Sequence, residues 1–322
     1  MLDHIHIQNY RLFKDLKIDK LGQVNLIAGK NNTGKTALLE ALRIMVYGTD
    51  LTICNIIDSR GDFYPNDKDI FSTLFSNKDY KNKKITFEFI YNKKNDKIEI
   101  KYGHLQKKYS FFIEIGINPR KEDIMELEVA QYPKVFERNT ELIFLSFQNN
   151  ENLISTLWEK VSLTAKEDDV VQIMKVIDSR IIKVRVDDKK TKVLLKGYDE
   201  PIPLKNLGDG ANRLFSIALV LANCKDKIFL IDEFEVGLHH SVQDQLWDII
   251  FKYAKEWNIQ IFATTHSRDT VKSFTSIAQK EEYKDMANYF RLQKLRNSED
   301  IVAVHYNEQN LKTAIEQDIE TR

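Results

Sequence analysis

The sequence predicts an α/β fold: a mostly parallel core sheet, an antiparallel β subdomain at the N-terminal end, and a helical and β insertion. Three observations carry this. The apolar stretch Val24–Ala28 runs into Gly29-Lys30-Asn31-Asn32-Thr33-Gly34-Lys35-Thr36, which fits G-x-x-x-x-G-K-[ST], and an apolar helix face follows. Ile228–Ile231 is an uninterrupted apolar run, as expected of a parallel strand covered on both faces, and Ile259–Thr264 reads as a second buried strand. Ile5–Ile18 alternates apolar and polar residues instead, the period of a half-buried antiparallel strand pair.

Taken in chain order, Ile5–Asn9 and Leu16–Ile18 read as two short strands joined by a turn, and Val24–Ala28 as a buried strand. After the Gly29–Thr36 loop, Leu38, Leu39, Ala41, Leu42, Met45 and Val46 form one face of a helix. From Asp50 to about Lys134 the composition turns to Lys, Asn, Asp, Phe and Tyr. Ile85–Tyr91 and Lys97–Tyr102 read there as antiparallel strands about a turn at Asn92–Asp96, with Tyr109–Ile117 and Met125–Ala130 extending the sheet. Asn150–Lys175 reads as helical, and Ile181–Asp187 with Lys192–Lys196 as a hairpin. The last third returns to regular alternation: helix Asn212–Asn223, strand Ile228–Ile231, helix Ser241–Trp257, strand Ile259–Thr264, then strands Tyr289–Leu295 and Ile301–Tyr306. A terminal helix is expected, with Leu311, Ala314, Ile315 and Ile319 on one face.

The 322 residues are 43% hydrophobic, enough for a large core, and 30% charged, enough for a well-solvated surface. Lys+Arg and Asp+Glu balance at 48 each, so net charge argues neither for nor against nucleic acid. Cys54 and Cys224 belong to no metal-ligand spacing and are expected as two buried thiols. No apolar run approaches the ~20 residues of a membrane span, and Met1–Tyr10 is broken by polar residues. The expectation is a cytoplasmic chain without a membrane partner.

The chemistry concentrates at strand ends. In the Gly29–Thr36 loop the glycines let backbone N–H groups point at phosphate oxygens, and the following helix N-terminus adds favourable partial charge. Lys35 places a cation on β- and γ-phosphates, and the Thr36 hydroxyl can ligate Mg²⁺. Asp232 and Glu233 end a buried strand, where α/β sheets bind ligands. Asp232 is read as holding Mg²⁺ through water and Glu233 as polarising the attacking water; the blander reading is a pair that caps the next segment. His266 follows the next strand and can reach a γ-phosphate or the lytic water, although a lone histidine is often structural. Leu207-Gly208-Asp209-Gly210-Ala211-Asn212-Arg213 opens a helix, and Gly208, Asp209 and Gly210 suit a second phosphate contact. With the first loop on the phosphates in cis, that contact is expected in trans, from a second subunit; the alternative is a capping turn.

With these elements in this order, the sequence resembles the ABC ATPase superfamily. It looks closest to the SMC/Rad50-like branch and, within it, to the ATPase part of OLD-type (overcoming lysogenization defect) bacterial proteins. The resemblance is carried by Asn9–Leu16, Gly29–Thr36, Leu207–Arg213, Ile231–His239 and Ala263–Ser267, with the stretch Tyr289–Arg322 similar to the tail of short ATPases in this group. It implies a single ABC-type ATPase domain over residues 1–322, with 1–50 and 140–322 as nucleotide-binding core and 50–140 as a variable arm. It also implies ATP and Mg²⁺ as cofactors, nucleotide sandwiched between two heads of a homodimer or higher homo-oligomer, and a γ-phosphate contact from Gly208 and Gly210 of the opposite head. The sequence departs from the general pattern: Gly208 stands where the signature has Ser, and Gly237-Leu238-His239-His240 replaces the usual D-loop. Gln106, Gln131 and Gln148 are all candidates for the Q-loop glutamine. No heptad repeat for a long coiled coil is present, and the stretch after His266 is too short for a Toprim nuclease.

These implications favour the ATPase subunit of an anti-phage defence or DNA-surveillance complex acting on a separately encoded effector. The aromatic stretch Asp50–Lys134 (Phe63, Tyr64, Phe71, Phe75, Tyr80) is the candidate docking surface. The alternative is a RecF-like DNA repair or recombination ATPase that binds nucleic acid directly, for which Lys81, Lys83, Lys84, Lys93, Lys94, Lys97, Lys107 and Lys108 are the sequence support. A transporter ATPase would want the Ser-Gly-Gly-Gln signature that is missing here.

Overall fold

The computed structural model describes residues 1–48, 50–60, 70–105, 108–116, 124–126, 141–146, 151–187, 190–296 and 298–306. The expected terminal helix over Leu311–Ile319, Phe63 and Tyr64, and the three candidate glutamines lie outside them. Two compact units are distinguished: residues 1–21, 29–140 and 290–305 form the first, and residues 22–28, 141–289 and 306–322 the second.

The first unit contains β1 (Leu2–Tyr10), β2 (Phe13–Ile18), α1 (Lys35–Tyr47), α2 (Asp50–Ser59), β4 (Ile85–Tyr91), β5 (Lys94–Leu105), β6 (Lys108–Ile115) and β7 (Ile124–Glu126). Its strands form one antiparallel sheet in the order β2-β1-β4-β5-β6-β7. The alternation expected at its N-terminal end is real: Ile5, Ile7, Leu16 and Ile18 are buried, while Lys17 and Asp15 face outward and pair with His6 and Gln8. The β4–β5 turn is tighter than expected. Only Asn92 and Lys93 intervene, at φ of 49° and 65°, the left-handed pair that matches strand twist in a two-residue hairpin. Phe71 and Phe75 are buried and, with Tyr80 and Tyr102, pack around Phe111 at centroid distances of 4.9–5.8 Å. The aromatic richness of this stretch is therefore spent on its own core, which corrects Phe71 and Phe75 as docking residues. Helix α2 went unpredicted, because its polar Asp50, Thr52, Asn55 and Asp58 interrupt the apolar period.

The second unit contains β3 (Val24–Ala28), β8 (Leu142–Leu145), α3 (Glu151–Val161), α4 (Ala165–Met174), β9 (Ile181–Asp187), β10 (Lys190–Leu195), β11 (Ile202–Pro203), α5 (Asp209–Asn223), β12 (Ile228–Ile231), α6 (His240–Glu256), β13 (Gln260–Thr265) and α7 (Arg268–Ala278). Strands β3, β13, β12 and β8 are neighbours in that order and all parallel. They belong to a six-stranded sheet completed by β14 (Ala287–Lys294) and β15 (Ile301–Tyr306), in the order β15-β14-β3-β13-β12-β8. Every residue of β3, β12 and β13 is buried, as a strand covered on both faces requires. The predicted helix Asn150–Lys175 is two helices. Leu163 takes φ 62° between them, and Thr164 caps the second by accepting from the Lys166 N–H at 3.3 Å. Helices α3 and α4 pack on α5, with Trp158 and Phe215 rings 6.0 Å apart. Cys224 is buried as expected, but Cys54 is only half-buried.

The parallel registers align the strand ends. Ala28 pairs with Thr265, Ala263 with Ile231, and Ile231 with Leu145. Strands β3, β12 and β13 of the second unit therefore end at one carboxyl edge, with Asp232 following β12 and His266 following β13, the edge at which open α/β sheets place ligands.

Candidate functional site

In the first unit, the phosphate-binding loop is curled around its own lysine. Lys35 Nζ donates to the carbonyls of Gly29 at 2.7 Å and Lys30 at 3.0 Å, and the side chain is 8% exposed. Thr33 Oγ1 donates to the Lys30 carbonyl at 2.9 Å. Gly34 takes φ 91° immediately before α1, a conformation an L side chain resists, and an added Cβ there would lie 2.8 Å from the ring of Phe13. The aromatic residue at the start of β2 thus lies against the loop. The β1–β2 turn is also tied to α1 through Glu40, whose buried carboxylate meets Arg11 Nε at 3.0 Å, Arg60 Nε at 2.5 Å and the Tyr10 hydroxyl at 3.3 Å. Burial, reinforced by the Glu40 charge, pushes the Tyr10 phenol well above its usual range, so it remains a donor. Gly29–Thr36 therefore sits on a braced turn, with a cation and a helix N-terminus at its centre.

In the second unit, Thr264 joins the two acids, and Glu235 holds the histidine. Asp232 is 2% exposed, and its Oδ1 accepts from Thr264 Oγ1 at 2.6 Å. The same hydroxyl oxygen accepts from the backbone N–H of Glu233 at 2.8 Å. Glu233 adopts φ 50°, a left-handed conformation that a non-glycine residue holds only where its surroundings enforce it. Arg213 supplies the rest of the enforcement. From α5 its guanidinium donates to the carbonyls of Ser146 at 2.8 Å, Asp232 at 2.7 Å and Glu233 at 3.3 Å. Burial lowers the guanidinium pKa to about 10 against the pull of Asp232, Glu235 and Glu233, so it stays charged at neutral pH. His266 begins beyond β13, its N–H donating to Glu235 Oε1 at 2.8 Å. The described residues thus bring Asp232, Glu233 and the segment holding His266 into one hydrogen-bonded frame.

Gly208 and Gly210 divide. Gly208 takes φ 97° with no atom within 4 Å of an added Cβ, so it faces open space. At Gly210 an added Cβ would lie 2.6 Å from the Gly237 carbonyl oxygen, so this glycine answers to a close approach within the chain. Arg213, Thr264 and Glu235 were not singled out by the sequence as parts of this frame. The signal for Arg213 was its place in the Leu207–Arg213 segment; Glu235 and Thr264 lie within Ile231–His239 and Ala263–Ser267 but look like ordinary residues of a turn and a strand end until their partners are known.

Residues 1–152 match the family model described as "AAA ATPase domain", and residues 143–271 match "AAA domain, putative AbiEii toxin, Type IV TA system". Both models describe AAA domains. An "ATP/GTP phosphatase" of Helicobacter pylori is 24% identical over 343 residues, covering 91% of this chain and 92% of that protein. A "DNA double-strand break repair Rad50 ATPase" of Archaeoglobus fulgidus is 42% identical over 48 residues, which is 15% of this chain and 5% of that protein. The Smc head domain solved with the C-terminal domain of ScpA derived from Pyrococcus furiosus superposes with TM-score 0.60 at 10% identity, covering 99% of this chain and 100% of that one. The fold is that of an ABC ATPase head, with an antiparallel N-terminal sheet and a mostly parallel core sheet, and the matches point to hydrolysis of ATP. No helix among the described residues is long and apolar enough to cross a membrane.

Proposed function

We propose that the chain binds and hydrolyses ATP with Mg²⁺, associates head to head around it, and controls a separately encoded effector in an anti-phage defence or DNA-surveillance complex of the OLD-type branch. The observation that carries the hydrolytic part is the frame in which the Thr264 hydroxyl bridges Asp232 Oδ1 and the Glu233 N–H. It places two carboxylates of different setting, one buried and one in an enforced left-handed turn, at the carboxyl edge of the sheet. The donor set fits the ion: the Thr36 hydroxyl and the Asp232 carboxylate are the hard oxygen ligands that Mg²⁺ prefers. Bound there, Mg²⁺ would neutralise phosphate charge. Lys35 exchanges its loop carbonyls for β- and γ-phosphate oxygens, and the amides of Gly29–Thr36 cradle them. Glu233 takes the proton of the attacking water, and His266 contacts the γ-phosphate or that water. Gly208, Asp209 and Gly210 of a second copy complete the phosphate contacts. The whole chain is one ATPase domain, with residues 50–140 its variable arm. The toxin–antitoxin description of the model matched by residues 143–271 supports a partner encoded elsewhere.

A Rad50-like reading with direct DNA binding has the short Archaeoglobus match in its favour. Its lysine cluster is less available than the sequence implied: Lys84 meets Glu99 at 2.6 Å, and Lys97 meets Glu99 at 2.9 Å and Glu88 at 3.3 Å.

The experiment is a pair of variants. Lys35→Ala is expected to lose ATP binding in calorimetry on folded protein. Glu233→Gln keeps binding and loses turnover by about 10²–10⁴-fold in phosphate release, since a carboxamide keeps the shape but is a very poor base. Wild-type affinity in the first variant would move the nucleotide away from this loop, and wild-type turnover in the second would move the base elsewhere.

A further inference from the structure

We propose that Glu235 is a positioning residue that works through His266: it fixes which ring nitrogen carries the proton and aims the other nitrogen outward for turnover. The inference rests on the role given to His266 above. Its geometric basis is one hydrogen bond and one close charge contact made by the same oxygen. Glu235 Oε1 accepts from the backbone N–H of His266 at 2.8 Å and lies 3.0 Å from Nδ1 of the same residue. A carboxylate that only caps a backbone N–H leaves the ring free to turn. With the N–H held and Nδ1 3.0 Å from the same oxygen, the charge contact favours one orientation of the ring.

The protonation pattern follows from donor and acceptor inventory. An ionised carboxylate accepts only, so the Nδ1 facing it bears a hydrogen. Nε2 is then the nitrogen left for a reacting group, and the hydrogen bond at one ring nitrogen decides the state of the other. Burial is arranged to match. The Glu235 side chain is 11% exposed, whereas that of His266 is 47% exposed, so the orienting carboxylate lies inside and the ring reaches out. Glu235 Oε2 is buried and makes no hydrogen bond among the described residues. The Arg213 guanidinium attracts the same carboxylate while bonding the carbonyls of Asp232 and Glu233. Arg213 thus ties the dyad to the acid pair. Glu235 is distinct from Glu233, whose backbone is engaged by Thr264 and Arg213.

The test reads the tautomer first and turnover second. Nitrogen-15 NMR of histidine-labelled full-length protein without nucleotide, at about pH 8.5, well above the reference imidazole value, is assigned by the signal lost in His266→Ala. Wild type is expected to show His266 protonated at Nδ1, and Glu235→Ala to shift it toward the Nε2–H form. An Nε2–H form in wild type, or a tautomer unmoved by Glu235→Ala, overturns the proposal. In phosphate release, Glu235→Ala is expected to lower kcat by about 10- to 100-fold, the usual cost of removing the partner that orients a functional imidazole. ATP affinity by calorimetry should stay within about twofold. In the His266→Ala background, the same change should cost nothing further. Multiplying losses in the double variant would show that Glu235 acts independently and overturn the dyad. A slowed His266→Ala beside an unaffected Glu235→Ala overturns the dyad alone. Wild-type turnover in His266→Ala overturns the role given to the histidine, and with it the part of the dyad in turnover.

Discussion

Thr264 shows how much one hydroxyl can organise. It is fully buried at the end of β13, donates to Asp232 and accepts from the Glu233 N–H. Valine has nearly the same shape and an equal liking for strands, so Thr264→Val removes the bridge and little else. It leaves a part-buried N–H without its acceptor and a buried carboxylate without one of its donors. We expect a loss of about 1–3 kcal/mol in stability, read from the denaturant midpoint, together with slower phosphate release. Thr264→Ser restores the hydroxyl and should recover most of the turnover. Wild-type behaviour in the valine variant would mean that the acids keep their geometry without the bridge. Only a buried strand over Ile259–Thr264 was legible at this position. A threonine late in a strand is common, and nothing in the chain order says that its hydroxyl meets an acid 32 residues away.

At the scale of elements, the antiparallel sheet carries a ladder of charges whose centre is Glu99 on β5. Its carboxylate meets Lys84, Lys97 and Lys101 at 2.6, 2.9 and 2.8 Å. Burial works to raise its pKa, but the hydrogen bonds from Lys101, Lys84 and Lys97 outweigh burial and hold it at about 2. A folded pKa below the unfolded value of about 4.3 stabilises the sheet at every pH above that value, and the contribution fades as pH falls toward 2. Part of the acid-induced loss of stability between about pH 4.5 and 2 should therefore vanish in Glu99→Gln, which also starts less stable at neutral pH. Chemical unfolding at pH 7, 4.5 and 3 reads this out. Parallel pH curves for the two proteins would remove Glu99 from the account. Strands such as Ile85–Tyr91 were legible because one face is apolar. The reach of β5 to Lys94 and Leu105 was hidden, because Lys94, Asn95 and Asp96 look like a turn until β4 pairs with them. Helix α7 and strand β8 were missed for a related reason. Arg268–Ala278 mixes Asp, Thr, Lys and Ser through its apolar face, and Leu142–Leu145 is four residues next to a polar stretch. Both are stabilised by what they pack on: α6 for the helix and β12 for the strand.

For the whole molecule, the proposed head-to-head association makes a direct prediction. Glu233→Gln with ATP and Mg²⁺ should show a larger mass in light scattering than the same protein without nucleotide, and Lys35→Ala should not. An unchanged mass in a protein that is monomeric without ATP would leave Gly208–Gly210 without a partner copy. Gly210 itself is a poor probe, because the Gly237 carbonyl already forbids a side chain there. The sequence by itself determined the α/β class, the Gly29–Thr36 loop and the two strands that end in Asp232-Glu233 and Thr265-His266. Such features are local: a strand buried on both faces must be apolar along its length, and a chain curling around phosphate needs glycine and lysine at set spacings. Tertiary structure alone decided that Arg213 reaches the carbonyls of Ser146, Asp232 and Glu233, that Thr264 joins the acids, and that Glu235 grips His266. Those contacts link residues 19 to 67 positions apart, and the register of β12 on β13 brings the acids and the histidine to neighbouring strand ends. A single chain order does not record which polar side chain will be left facing which buried carbonyl. That is settled when the parallel strands align their ends and every buried polar group must find a partner.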